Sequence, residues 1–225
     1  MSIIDAVIFD LDGTLVDSEP NYMLANREIL TPYGVPVDEQ FQNKYVGISS
    51  RQTMMELKQL YKIEESIESL LQRKNVCYLE KAAANTVVFP AMRRFVELLR
   101  ANQVPMAVAS GSTQVVIEEI LAITQLRSYF DVVLSSDQVA RSKPAPDVFL
   151  AAADKLGAAP ERCLVMEDSR YGVEAAKAAQ MRCVAVPYDL SPPLHPSFQA
   201  ADFLYEKGPT HFSGEQVLAW MQKDA

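Results

Sequence analysis

The stretch Ala6-Val7-Ile8-Phe9-Asp10-Leu11-Asp12-Gly13-Thr14-Leu15 opens as a buried strand and closes on two carboxylates. From Ile3 to Phe9 the chain is almost continuously apolar and rich in β-branched residues. That is the pattern of a strand covered on both faces, as in a parallel sheet. Asp10 and Asp12 follow where the strand ends, and Gly13 permits a sharp turn. If the backbone stays extended that far, both carboxylates point to one side. Ligands of open parallel sheets bind beyond the carboxyl ends of the strands. Two acids placed there repel unless a cation or a shared proton holds them. A divalent metal with oxygen ligands is the simplest answer. The competing reading is a solvated turn or a helix cap, for which Asp and Gly are ordinary residues.

Outward from this stretch, Ser18 is placed to cap a helix and Pro20 suits its first turn. That helix is expected to run to about Tyr33 and to end at Gly34 and Pro36. From Val37 to about Thr86 the pattern stays helical, with breaks at Gly47–Ser50 and near Ile63–Ser66. Strands and helices alternate after Phe89-Pro90. Strands are expected at Pro105–Ala109, Asp131–Leu134, Cys163–Met166 and Arg182–Val186, with helices between them and a C-terminal helix from Ser213. This predicts an α/β fold, a doubly wound parallel sheet with an inserted small α-helical cap domain. The boundaries are 1–15 and 88–225 for the sheet domain and 16–87 for the cap. The two crossings, near Leu15–Ser18 and Thr86–Pro90, read as hinges rather than regular elements.

The 225 residues suffice for a large core. A formal net charge of −8 argues against a nucleic-acid surface. Local lysines, a metal and backbone N–H groups nevertheless suffice for a phosphate, because distant charges are screened. Cys77, Cys163 and Cys183 show no metal or redox spacing, and an odd count suits a reducing compartment. There is no basic n-region with a long apolar run and no stretch of transmembrane length. The expectation is a cytoplasmic monomer without membrane or nucleic-acid partners.

Three strands end in polar residues: Asp10 and Asp12, Ser110, and Glu167 with Asp168. Lys143-Pro144 lies in a loop before a helix. In a parallel sheet these ends share one edge, so the residues converge there although they are far apart in sequence. Together they supply what phosphoryl transfer needs: a nucleophile, a general acid, a hydroxyl, a cation and metal ligands. Taken singly, Ser110 and the Glu167-Asp168 pair also read as helix caps, and Lys143 as a solvated loop charge.

Phe9-Asp10-Leu11-Asp12-Gly13-Thr14-Leu15, Ala109-Ser110-Gly111, Ser142-Lys143-Pro144-Ala145-Pro146-Asp147-Val148-Phe149 and Met166-Glu167-Asp168-Ser169 resemble, in order and spacing, the four motifs of the haloacid dehalogenase (HAD) superfamily. The helical insert resembles the cap of its β-phosphoglucomutase-like, sugar-phosphate phosphatase branch. The resemblance implies a Mg²⁺-dependent phosphatase that hydrolyses a small phosphorylated metabolite, a sugar or polyol phosphate, through an aspartyl-phosphate. It implies Asp10 as nucleophile, Asp12 as acid and base, Ser110 and Gly111 on the phosphoryl oxygens, and Lys143 as the neutralising cation. Asp10, Asp168, Glu167 and the carbonyl of Asp12 would hold the metal. Thr14 joins the phosphate-binding set. Dehalogenases of the superfamily lack the second acid, so Asp12 points away from dehalogenation. The alternatives are a sugar-phosphate mutase and a non-catalytic binding module. Mutases of this branch carry a cap histidine at the position matching Tyr22, and the only histidines here, His195 and His211, lie in the tail. Substrate choice is expected from Glu19, Asn21, Tyr22, Lys44, Gly47, Ser49, Ser50, Arg51 and Lys74. For Arg51 and Lys74 the simpler reading is a solvated helix face. For Tyr22 it is a core aromatic.

Overall fold

The computed structural model describes residues 4–223. The chain runs β1 (Ala6–Phe9), β2 (Val16–Asp17), α1 (Glu19–Leu30), α2 (Glu39–Tyr45), α3 (Ser50–Leu60), α4 (Ile67–Asn85), β3 (Val87–Val88), α5 (Pro90–Ala101) and β4 (Met106–Ser110). It continues through α6 (Gln114–Ile123), β5 (Val132–Ser135), α7 (Asp147–Leu156), β6 (Cys163–Glu167), α8 (Arg170–Ala178), β7 (Arg182–Ala185), β8 (Phe203–Leu204) and α9 (Gly214–Lys223). Six strands form one sheet in the order β5-β4-β1-β6-β7-β8, and every pairing is parallel. The doubly wound reading therefore holds. β1 is central, between β4 and β6. The expected start of β1 at Ile3 lies outside the described residues.

Alternation along the strands divides the core in two. Val7 and Phe9 of β1, with Leu164 and Met166 of β6, face a cluster that holds Phe95, Val96 and Leu99 of α5 and Ile117, Ile120 and Leu121 of α6. Ala6 and Ile8, with Cys163 and Val165, face Val148 and Phe149 of α7 and Val173 and Ala176 of α8. Both faces are dry, so the strands read as continuous apolar runs instead of alternating ones. All three thiols are free and buried. No helix among the described residues is long and apolar enough to cross a membrane.

The insert is helical as expected. Gly34 adopts φ 76° after a short 3-10 turn at Thr31–Tyr33 and ends the first helical stretch. Asp38, Ser49 and Ser66 cap α2, α3 and α4 with their side chains. Ser18 stands at the start of α1 but makes no side-chain cap bond. The two crossings correct the sequence reading: they are not irregular. β2 and β3 pair antiparallel, Val16 against Val88 and Asp17 against Val87. Both segments are short and β-branched, so each supplies the other's missing ladder partners.

Candidate active site

Asp10 leaves β1 with its N–H on the carbonyl of Met166, 2.9 Å away, so the ladder to β6 fixes the base of this side chain. Gly13 then turns the chain with φ 78°, and its N–H meets the carbonyl of Val16 at 2.9 Å. A Cβ at Gly13 would lie 2.3 Å from Asp168 Oδ2, so glycine also lets the Asp168 carboxylate come close. β4 and β6 end beside β1 and deliver Ser110 and Glu167 to the same edge. The caps of the following helices are Thr113 and Ser169, so neither Ser110 nor the Glu167-Asp168 pair is a cap.

Lys143 is 2% exposed and far from a solvated charge. Its Nζ donates to Asp10 Oδ1 at 2.6 Å, to Glu167 Oε1 at 2.5 Å and to the carbonyl of Ala109 at 3.2 Å. The second oxygen of Glu167 accepts from the N–H and hydroxyl of Ser169, both at 3.0 Å. Asp12 Oδ2 accepts from Ser112 Oγ at 2.6 Å and from Ser110 Oγ at 3.2 Å, while Asp12 Oδ1 is buried without a partner. Asp168 Oδ1 accepts from Thr14 Oγ1 at 3.0 Å, and Asp168 Oδ2 is likewise buried without a partner.

The helical insert roofs this edge. The intervening cavity is about 70 Å³ and is lined by Asp10, Asp12, Gly111, Ser112 and Asp168 below. Above it are Glu19, Tyr22, Asn26, Gln42, Tyr45, Val46, Gly47, Ile48, Ser50, Thr53 and Lys74. Tyr22 donates to or accepts from Ser112 Oγ at 2.6 Å and stacks on Tyr78 at 4.0 Å between centroids. Lys74 Nζ sits 4.7 Å from the centre of the Tyr22 ring and donates to Ser50 Oγ at 2.9 Å. Roof and edge are joined by Ser50 N–H to the carbonyl of Gly111 at 3.2 Å, and by Asn75 Nδ2 to Thr113 Oγ1 at 2.9 Å.

The electrostatics follow from burial. Desolvation pushes Asp10 up to about 8, with the charges of Glu167 and Asp12 adding to the shift and Lys143 opposing it. Desolvation also raises Asp168, helped by Glu167 and Asp10, and raises Asp12 against the hydrogen bond from Ser112. Glu19 is pushed to about 8 by burial and by Asp12. Burial would lower Lys143, but Asp10 and Glu167 more than offset it and hold it charged. Burial brings Lys74 down to about 8. Five acids thus face two lysines, and a bound cation would offset the desolvation and mutual repulsion that raise these acids.

Magnesium fits this set in a smaller form than the sequence implied. Among the described residues no three acidic, histidine or cysteine side chains converge tightly enough to chelate an ion alone. Mg²⁺ keeps several waters and is commonly held by one or two carboxylates plus substrate phosphate. Asp10 and Asp168 line the cavity, and Asp168 has an orphaned oxygen. Glu167, expected in the set with Asp10, Asp168 and the carbonyl of Asp12, is otherwise engaged in this arrangement. Both its oxygens are engaged by Lys143 and Ser169, and it would reach a metal only by giving up one of those bonds.

Other expectations are met unevenly. Glu19, Tyr22, Gly47, Ser50, Gly111 and Lys74 line the cavity, so Lys74 is no solvated face residue. Arg51 is outside, paired with Glu68 at 3.1 Å and Asp137 at 3.7 Å, and Lys44 is outside on Glu56 at 2.5 Å. Thr14, Asn21 and Ser49 are buried but absent from the lining. Ser110 turns its hydroxyl to Asp12 in this arrangement and is absent from the lining. The sequence reading missed Ser112, Asn26 and the buttress Ser169. Asn26 was findable: Glu19, Tyr22 and Asn26 are spaced i, i+3, i+7 and share one face of α1.

The model of the haloacid dehalogenase-like hydrolases matches residues 7–186. The chain belongs to that family. Like the sequence reading, this makes it a hydrolase of the HAD type. It is 35% identical over 179 residues to a phosphorylated carbohydrates phosphatase of Thermotoga maritima, covering 78% of this chain and 81% of the relative. It is 34% identical over 182 residues to the fructose-1-phosphate phosphatase of Escherichia coli, covering 80% and 95%. Among solved structures, CbbY of Rhodobacter sphaeroides in complex with phosphate superposes with a TM-score of 0.81 at 25% identity, covering 92% of this chain and 96% of that one. The HAD core motifs of the sequence are the residues gathered under the roof.

Proposed function

We propose that this chain is a Mg²⁺-dependent phosphatase of sugar or polyol monophosphates, with Asp10 as nucleophile and Asp12 as general acid and base. The observation that carries the reading is the pair of buried, unpartnered carboxylate oxygens, Asp12 Oδ1 and Asp168 Oδ2, at a cavity whose floor also presents Asp10. Such orphans are costly unless a ligand completes them. The relatives that share the family act, by name, on phosphorylated carbohydrates and fructose 1-phosphate.

Asp10, oriented by Lys143, attacks phosphorus, and the oxygen of the leaving alcohol takes a proton from Asp12. Asp12 then accepts a proton from the water that attacks the phosphoryl group on Asp10, and the Asp10 carboxylate is released. Mg²⁺ held by Asp10 and Asp168 would neutralise charge between the anionic nucleophile and the anionic phosphate. The roof supplies Glu19, Asn26, Gln42, Ser50, Thr53 and Lys74, which suit hydroxyls. Among the described residues Lys74 is the one cation of the lining, against Asp10, Asp12, Glu19 and Asp168. That balance favours a monophosphate on a neutral polyol over a bisphosphate. The cavity of about 70 Å³ is small beside the roughly 300–1,000 Å³ of small-molecule sites. Residues 16–87 therefore act as a cap that moves off the sheet domain to admit substrate.

The test is phosphate release from a panel of hexitol, ketose and aldose monophosphates. Turnover with Mg²⁺, its loss on chelation and its return on metal addition are expected. Undiminished turnover in metal-stripped protein, or no release from any monoester, would overturn the reading.

A further inference from the structure

A groove of about 550 Å³ adjoins the catalytic cavity and takes part in no step of the proposed chemistry. One wall is the turn between β6 and α8, with Asp168, Ser169 and Arg170, and the other is drawn from the tail segment 189–199. Two residues line both the groove and the cavity: Val46 of the roof and Asp168 of the sheet domain. Beside Val46, Gly47 seats the roof on Ser169, since a Cβ there would lie 2.3 Å from Ser169 Oγ. The two spaces thus meet at one valine and one aspartate.

The groove reaches one part of the site and not the rest. Asp10, Asp12, Ser110 and Lys143, which face the phosphate chemistry, do not line it. Asp168 does, and its orphaned oxygen is the one that suits a metal. Room points the same way. Mg²⁺ moves with a shell of waters that it sheds reluctantly. The cavity of about 70 Å³ under the seated roof has space for only a few waters, and a bound substrate takes that space. The groove has space for the ion and its whole shell.

The walls suit passage more than capture. Pro192, Pro193 and Pro196 stiffen the outer wall, and Leu194 and Phe198 add no ligands. A path conducts an ion when it attracts the ion without trapping it. Asp189 supplies the attraction. One of its oxygens accepts from the N–H of Ser191 at 2.9 Å, and it forms no ion pair among the described residues. Arg170 opposes it, but lays its guanidinium on Tyr171, 2.8 Å from the hydroxyl and 4.6 Å from the ring centre. His195 bonds Ser197 through Nδ1 at 2.9 Å. We propose that Mg²⁺ reaches and leaves Asp168 through this groove, past Val46, while the roof stays seated. The metal then has a door of its own. It binds before or after the sugar phosphate, and it exchanges without release of substrate.

This inference rests on the phosphatase reading and uses only its metal. Mn²⁺ serves as the probe for Mg²⁺, because water-proton relaxation reports its binding without turnover. Asn75 and Thr113 are bonded across roof and sheet at 2.9 Å. Asn75→Cys with Thr113→Cys, bridged by dibromobimane, locks the roof. The native thiols are buried, and mass spectrometry counts the bridge. Asp168→Ala identifies the signal that belongs to the site. Release of Mn²⁺ into excess EDTA should run at nearly the same rate from locked and unbridged protein. Ser191→Trp and Gln199→Trp, at exposed residues of the groove wall, should each slow loading and release alike, by about tenfold, with Kd little changed. Asp189→Asn should slow loading at low salt and lose that effect at high salt. A lock that stops exchange, or tryptophan variants with unaltered rates, would overturn the route and leave the phosphatase reading intact. No Mn²⁺ bound by the unaltered chain, or binding indifferent to Asp168→Ala, would instead sink the metal part of that reading.

Discussion

Gly172 stands in the first turn of α8, and its missing side chain is what gives Glu167 room. A Cβ there would lie 1.8 Å from Glu167 Cδ and Oε1 and 2.2 Å from Oε2. Glu167 is fully buried, with one oxygen on Lys143 at 2.5 Å and the other on Ser169. The colliding atoms are the end of the Glu167 side chain, which Lys143 and Ser169 hold in place, so Gly172→Ala must drive the carboxylate off Lys143. Breaking a buried ion pair from one side costs about 3–5 kcal/mol. Alanine returns about 1 kcal/mol in a helix. The net loss should be about 2–4 kcal/mol, which for a chain of this length lowers Tm by about 5–15 °C. Lys143 would also hold Asp10 less firmly, so kcat should fall with stability. Urea unfolding followed by circular dichroism measures the first effect and phosphate release the second. In a Glu167→Ala background the obstacle is gone, and Gly172→Ala should be neutral or slightly stabilising there. Stability within about 0.5 kcal/mol of the unaltered protein would refute the steric argument, as would an equal loss in both backgrounds.

Lys74 offers a pH test. Its pKa falls to about 8 through burial, against about 10.4 for a free lysine. Between these values the unfolded chain binds the extra proton, so stability should rise with pH from about 8 to 10 and Lys74→Met should remove that rise, as read by denaturant midpoints. Arg51→Ala should leave KM for the hexitol phosphate within about twofold and stability within about 1 kcal/mol, because its partners are half-exposed ion pairs outside the cavity. A large KM change would bring Arg51 back into the site.

The sheet was legible because its strands are dry on both faces. Continuous apolar runs at residues 6–9, 106–109 and 163–166 allow little else than a parallel sheet once helices alternate with them. The floor of the site was legible for a related reason. Polar residues that interrupt such runs at their carboxyl ends land on one edge whatever the loops do, which places Asp10, Asp12 and Asp168. The partners of these groups were not legible. Whether Ser110 turns to a phosphate or to Asp12, and whether Glu167 is free or bonded, depends on rotamers set by neighbours some hundred residues away, such as Ser112 against Asp12. The roof was the least legible. Lys74 and Arg51 both sit on helices among polar residues. Only the packing of α4 against α1 buries Lys74 over the Tyr22 ring, whereas Arg51 remains at the rim. The crossings failed for want of length: two residues of β2 and two of β3 make no periodic signal, and only their mutual pairing makes them strands.

The geometry also bears on whether water or a second sugar attacks phosphorylated Asp10. A phosphotransferring mutase needs its acid–base group withheld from water until a second hydroxyl is in place. Such withholding requires a roof residue that competes for the proton-carrying oxygen. Tyr22 occupies the relevant position, and its hydroxyl is spent on Ser112. Burial, with the charge of Asp12 adding to it, holds its pKa well above the ordinary value, so it stays protonated and cannot serve as a base. It reaches Asp12 at Oδ2, through Ser112, and makes no bond of its own to Oδ1. With the roof in this arrangement Asp12 is left available to water, and the aspartyl-phosphate should be short-lived. Phosphorus NMR on glucose 1-phosphate, with a trace of the bisphosphate added, should show inorganic phosphate and free sugar with little positional isomer. Glucose 6-phosphate accumulating faster than inorganic phosphate would mean that something other than Tyr22 protects the intermediate, and would move the chain to the mutases.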